Sequence, residues 1–340
     1  MTIELPVLRL GLAGFSAEQR ERVSACLPAV APGTLSWTIS ELGDADTWWV
    51  NGAGVRMIDE HTVNVAAGAT TARPLRLRLP DIDRPVAFTL PLACTGLQPA
   101  YSLDLGSPAS MSAVLEKFES WLSPLTAQLC LASHIVEHQA ALGAGFFEVR
   151  LDGRLLGLVN MHGEVGVRPG AGPTDFENAD WARCESGRIP EDHARATMSQ
   201  LMWQYGVRTQ RDLLPRHYRT GLLYFRRPPR VPYRLLGDSH LLLMRELAAR
   251  PASFQALQQA TGLPPGRLAH CLAALYFVGS ITANPKRAAP YQAPARGEPA
   301  DAGLVNSSLP SSLEPGLAGE APRAHGGHAD LTAPAPMGRH

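Results

Sequence analysis

Ser239–Thr282 reads SHLLLMRELAARPASFQALQQATGLPPGRLAHCLAALYFVGSIT, the most regular stretch in the chain. Ser239 can cap one amphipathic helix, and Ser253 a second that Gly262 would end. Leu263-Pro264-Pro265 is then a tight turn into a third helix over Gly266–Gly279, and Ser280-Ile281-Thr282 reads as a short strand. Leu257, Ala260, Leu268, Leu272 and Leu275 recur at helical spacing as the core of this unit.

Working outward, the segment just before it is basic. Residues 201–250 hold ten arginines against Asp212, Asp238 and Glu246, a surplus of seven in a chain whose 31 basic and 31 acidic residues cancel. Its centre, LLYFRRPPRVPYRLL, interleaves arginines with aromatic residues. Guanidinium groups bind phosphate bidentately and stack on bases. Arg226, Arg227, Arg230 and Arg234 are therefore candidate ligands for an anion or nucleotide.

Upstream, residues 110–234 read as a central α+β region. A helical run over 110–142 carries Met111, Leu115, Phe118 and Leu122, and Pro124 divides it in two. Phe146–Leu151, Arg154–Met161 and Val165–Val167 alternate as a three-stranded meander, with Asp152-Gly153 as a hairpin turn. A helix is expected to open at Pro190, with the stripe Ala194, Met198, Leu201, Met202 and Tyr205. Residues 1–106 suggest a small α/β unit with a mainly parallel sheet. The strand Pro6–Gly14 leads into a helix whose Ser16 and Gln19 form a capping-box pattern. Leu35–Ile39, Thr47–Val50, Thr62–Val65, Leu75–Leu79 and Val86–Leu90 are its further strands. Residues 288–340, rich in Pro, Gly, Ala and Ser, are expected to be a disordered tail.

The helix, helix, tight turn, helix, strand order over 235–287 resembles a winged helix-turn-helix module. That resemblance implies that the third helix could face DNA, with Arg267 and His270 on it and Lys286 and Arg287 near the wing. The helix is otherwise apolar, which favours a protein-interaction role.

The N-terminal unit resembles, in element order, the receiver domain of response regulators. Receivers carry paired acids after the first strand, where this chain has Ala13-Gly14-Phe15. They carry a phospho-acceptor Asp after the third, where Val50 is followed by Asn51. They carry a Lys after the fifth, where Leu90 is followed by Pro91-Leu92-Ala93. The resemblance thus implies a receiver-like domain stripped of phosphotransfer chemistry, since Mg²⁺ and the phosphoryl group both need the carboxylates.

Two weaker patterns complete the reading. Arg226-Arg227-Pro228-Pro229-Arg230 is similar to the R-x-x-x-R element with which PilZ domains hold cyclic di-GMP, although the second element of that family is not matched. His134-Ile135-Val136-Glu137-His138 matches H-x-x-E-H, the zinc motif of inverzincin hydrolases, with His134 and His138 as ligands and Glu137 as base. No Glu lies between 200 and 245 to serve as the third ligand.

Five cysteines without a C-x-x-C pair fit a reducing compartment. No apolar run of 18 residues reads as a membrane span. The architecture expected is α/β plus α+β: a receiver-like domain, a central helix and meander region, a winged helix and a tail. The role expected is a cytoplasmic bacterial regulatory or scaffold protein with no catalytic activity and no cofactor. Proteins are its expected partners, with DNA or a cyclic nucleotide as a second ligand class.

Overall fold

The computed structural model describes residues 4–31, 35–68, 74–94, 96–138 and 142–289. The segment expected to be a disordered tail lies outside them from residue 290 on.

The N-terminal unit is built on β1 (Val7–Ala13), α1 (Ala17–Val30), β2 (Ser36–Ser40) and β3 (Thr47–Val50). A three-stranded antiparallel meander follows: β4 (Val55–Asp59), β5 (Thr62–Val65) and β6 (Leu75–Arg78). β7 (Val86–Thr89), β8 (Tyr101–Leu103) and α2 (Pro108–Trp121) complete the unit. Five parallel strands pair in the order β2-β1-β3-β7-β8, the 2-1-3-4-5 order of one class of doubly wound sheet.

Strand alternation sorts the side chains between two cores. Leu8, Leu10, Leu12 and Trp49 face α1 and α2, where Val23, Leu27, Leu115 and Phe118 meet them. Ala13, Val50 and Phe88 face the meander, where Val55, Val63, Val65 and Leu77 cover them. A helix-sized crossover is thus replaced by a small sheet. The expected strands at 62–65 and 75–79 belong to this meander, not to the parallel sheet, and Val86–Thr89 is the fourth parallel strand instead of the last. The capping box of α1 is formed as expected, Ser16 accepting from the Gln19 amide at 3.2 Å while Gln19 accepts from the Ser16 amide at 2.9 Å.

The chain continues through α3 (Ser123–His138), separated from α2 at Leu122. Then come β9 (Phe146–Leu151), β10 (Arg154–Asn160), β11 (Glu164–Val167), α4 (Pro173–Glu177), β12 (Asp180–Cys184) and β13 (Ala194–Thr197). Their antiparallel sheet runs β12-β9-β10-β11-β13. The Asp152-Gly153 turn joins β9 to β10 with both residues at positive φ, 49° and 78°, as the hairpin requires. α5 (Met198–Gly206) begins later than the sequence suggests. Ala194–Thr197 is a strand paired with β11, and Thr197 caps the helix.

α6 (Arg216–Thr220) and β14 (Leu222–Phe225) lead into α7 (Asp238–Ala249), β15 (Ala252–Ser253), α8 (Phe254–Thr261), α9 (Pro265–Phe277) and β16 (Ile281–Thr282). The expected helix order holds, and Ser253 caps α8. Gly237, not Ser239, is the N-cap of α7. β15 and β16 do not pair with a following hairpin. The upstream strand β14 lies between them, in the order β15-β14-β16.

One apolar core runs from Ala127 to Ile281, so the central region and the C-terminal helices bury their side chains together. At its centre α5 packs on α9. A Cβ placed on Gly206 would sit 3.1 Å from the Ala274 Cα and 3.3 Å from the Phe277 ring. Among the described residues, no helix is long and apolar enough to cross a membrane. All five cysteines are free.

The close crossing at Gly206 can be tested. Gly206→Val should force α5 away from α9 and cost about 1–3 kcal/mol, read as a lower denaturant midpoint at unchanged slope. An unchanged midpoint would contradict the packing.

Candidate functional site

In an open parallel sheet, ligands bind beyond the carboxyl ends of the strands where the strand order reverses. Here that point lies between β1 and β3, at Gly14–Phe15 and Asn51–Gly52. The crevice is occupied by the protein's own backbone. A Cβ on Gly68 would lie 1.9 Å from the Phe15 carbonyl oxygen, so the chain just after β5, within the meander, rests directly on the end of β1. Asn51 Nδ2 donates to the Gly14 carbonyl at 2.9 Å, and the Gly52 amide donates to the buried Thr89 Oγ1 at 2.9 Å. The Ala93 amide in turn donates to the Gly52 carbonyl at 3.0 Å. The residues at these strand ends, 13–16, 50–54 and 89–93, include no Asp, Glu or Lys. The fifth parallel strand is β8, and the Asp104-Leu105-Gly106 that follows it supplies no Lys either.

The H-x-x-E-H residues lie on α3 with different partners from those zinc chemistry would require. His134 is 3% exposed, its ring stacked on Trp181 at 5.4 Å and 4.3 Å from the His138 ring. Both His134 ring nitrogens are buried without a hydrogen-bond partner. The Glu137 carboxylate accepts from Arg211 Nη1 at 2.9 Å, which neutralises the would-be base. Among the described residues, no three His, Cys, Asp or Glu side chains gather closely enough to hold a metal ion.

The expected DNA-facing residues are also dispersed. Arg267 is exposed and His270 half-buried in the first turns of α9, but every residue from Cys271 to Thr282 is buried. From Cys271 on the helix is buried, with α5 packed against it, and only its first turns are open. Arg287 acts on Tyr218, which packs on Tyr276 at 5.0 Å near the other end of α9. From Arg267 to Tyr276 the helix rises about 14 Å. Lys286 and Arg287 are exposed on a short 3₁₀ turn after β16.

The arginine segment separates into three sets. Arg226, Arg227 and Arg230 lie together, since the charges of Arg226 and Arg230 both act on Arg227. The charge of Arg234 acts on Asp83 of the N-terminal unit. Arg208 and Arg211 build a contact that sequence reading missed. Arg208 pairs with Asp46, both nearly buried, while the Asp46 carboxylate also accepts from the Arg9 amide at 3.0 Å. Arg9 donates to the Val207 carbonyl, and its guanidinium is held below its ordinary value by burial and then by Arg208. Glu4 accepts from the Tyr205 hydroxyl at 2.9 Å and the Thr209 hydroxyl at 2.6 Å, and Arg211 bridges Glu4 to Glu137. The N-terminal unit is thereby clasped to the end of α5.

Burial, and then the charge of His138, pull the His134 imidazole down to about 4. His240, 4.7 Å from the Trp203 ring, is likewise drawn to about 4, chiefly by burial. An unfolded chain protonates its histidines near 6.5, so between that pH and about 4 it binds protons the folded chain refuses. The stability these groups confer is whole above pH 6.5 and drains away as pH falls, by up to about 3 kcal/mol for His134. Denaturation at pH 7.5 and 4.5 should show this loss, and His134→Phe should reduce it. An identical pH dependence in the variant would contradict the assignment. Comparison with known proteins brings no match: no protein family, no curated protein and no solved structure is similar to the chain.

Proposed function

We propose that this chain is a non-catalytic regulatory adaptor, working in the bacterial cytoplasm through contacts with other proteins. Its N-terminal unit is a receiver-like domain that has lost its chemistry and kept its frame. The observation that carries this reading is the closed crevice at Gly14, Asn51 and Gly68, where a phosphoryl site would need open space and carboxylates. The 2-1-3-4-5 strand order, with α1 and α2 on one face, supports the receiver likeness.

The helix-turn-helix order of α7, α8 and α9 supports a regulatory module, used as a rigid prop. Its third helix is spent on packing against α5, and the strand β14 stands where a wing hairpin would close the sheet. Partners therefore meet the outer surfaces of the assembly, not a recognition helix. Exposed apolar side chains such as Trp121 on α2 are available for such contacts.

Native pull-down with and without nuclease tests this directly. A protein partner retained at fixed stoichiometry after nuclease treatment is expected. Loss of all partners on nuclease treatment would replace the adaptor reading with nucleic-acid bridging. Incubation with acetyl phosphate and Mg²⁺ should leave the intact mass unchanged, whereas a stable gain of one phosphoryl group would refute the loss of chemistry.

A further inference from the structure

Several of the arginines between 201 and 250 are engaged within the fold. Arg208 and Arg211 hold the clasp, Arg219 bonds Asp212, Arg245 bonds Glu246, and Arg234 acts on Asp83. Arg226 and Arg227 lie elsewhere, at the end of one strand. β14 ends at Phe225, and the amides of Arg226 and Arg227 then turn onto the Ser280 carbonyl, at 2.8 and 3.4 Å. After β16, the chain makes the 285–287 turn, capped by Asn284 on the Lys286 amide at 3.0 Å. It comes back alongside, the Ala289 amide donating to the Phe225 carbonyl at 2.9 Å. Backbone pairing therefore carries Lys286 and Arg287 to the side of Arg226 and Arg227, although 60 residues separate them in sequence.

Among the described residues, Arg226, Arg227, Lys286 and Arg287 enter no ion pair. Arg227 is the most constrained of them. Its Nη2 reaches the Val278 carbonyl at 3.5 Å, a weak contact, while its Nε is buried with no hydrogen-bond partner. Burial, and then the charges of Arg226 and Arg230, hold its guanidinium below the ordinary value. Arg226 and Arg287 also converge on the buried Tyr218, where their charges offset part of the rise that burial imposes on its phenol. Arg226 and Arg227 are half-buried side by side, an arrangement that is costly unless an anion completes it.

We propose that Arg226, Arg227 and Arg287 form an oxyanion site for the phosphate group of a small phosphorylated ligand, seated where β14 leaves the C-terminal sheet beside the 285–287 turn. The ligand is small because the cluster is confined to one strand end and one turn. A nucleic-acid backbone needs a line of phosphate contacts, and Arg208, Arg211, Arg219 and Arg245 are committed to ion pairs elsewhere. This site stands apart from the adaptor reading, and either can fail without the other.

Calorimetric titration of the full chain with pyrophosphate, and separately with a nucleoside diphosphate, tests it at low salt. Saturable binding with one site per chain is expected for both. Equal affinities assign the site to the phosphate alone, and tighter nucleotide binding assigns it to a nucleotide. Arg226→Ala combined with Arg287→Ala should weaken binding about tenfold or more, the size of one lost charge-assisted contact. Arg234→Ala should leave it unchanged. Arg287→Ala alone, on an exposed turn, keeps the test valid if the double variant melts early. No saturable binding by the parent chain, equal loss in Arg234→Ala, or tighter binding of a 20-base-pair duplex than of pyrophosphate would overturn the proposal.

Discussion

The contact on which the N-terminal unit turns is backbone against backbone, where Gly68 rests on the Phe15 carbonyl with no room for a Cβ. It brings the chain that follows β5 in the meander down onto the carboxyl edge of the parallel sheet. Val63, Val65 and Leu77 can then bury against Val50 and Phe88, on a face that would otherwise need helices. The same contact removes the space in which a doubly wound sheet receives its ligand. Burial of that face and closure of the crevice therefore have one cause. Thr89 and Asn51 spend their polar groups on the neighbouring backbone, and neither is left to meet a substrate.

A second constraint joins this unit to the rest. The clasp of Asp46 with Arg208, and of Glu4 with Tyr205, Thr209 and Arg211, is built from charges largely withdrawn from water. A buried pair adds little net stability over apolar packing, but removing one partner strands the other and costs about 3–5 kcal/mol. Such a contact specifies one relative placement of the two units. Because α5 carries the clasp at one end and packs along α9, the N-terminal unit and the C-terminal helices are held through a single helix.

Local signals were the legible ones. The Ser16–Gln19 box, the Asp152-Gly153 turn, the break near Pro124 and the Ser253 cap each depend on residues a few positions apart, and each appears in the structure. The strand Ala194–Thr197 was hidden because Ala194, Met198 and Leu201 also satisfy a helical period, and pairing with β11 decides between the two. β8 has three residues, too few to show any period. The charge of the arginine segment was plain, but its partition was not. Asp46 lies 162 residues from Arg208 and Glu4 lies 201 residues from Tyr205, so no spacing rule links them. The grouping of Arg287 with Arg226 likewise follows from strand pairing.

The closed crevice is tested most directly by amide spectra of the protein recorded with Mg²⁺ and beryllofluoride, a phosphoryl mimic. If the backbone fills the site, the resonances of Gly14, Asn51, Gly52 and Thr89 stay where they were in buffer alone. Saturable shifts confined to those four residues would show an open, ligand-accepting site, and the reading of this unit as a frame without chemistry would fall.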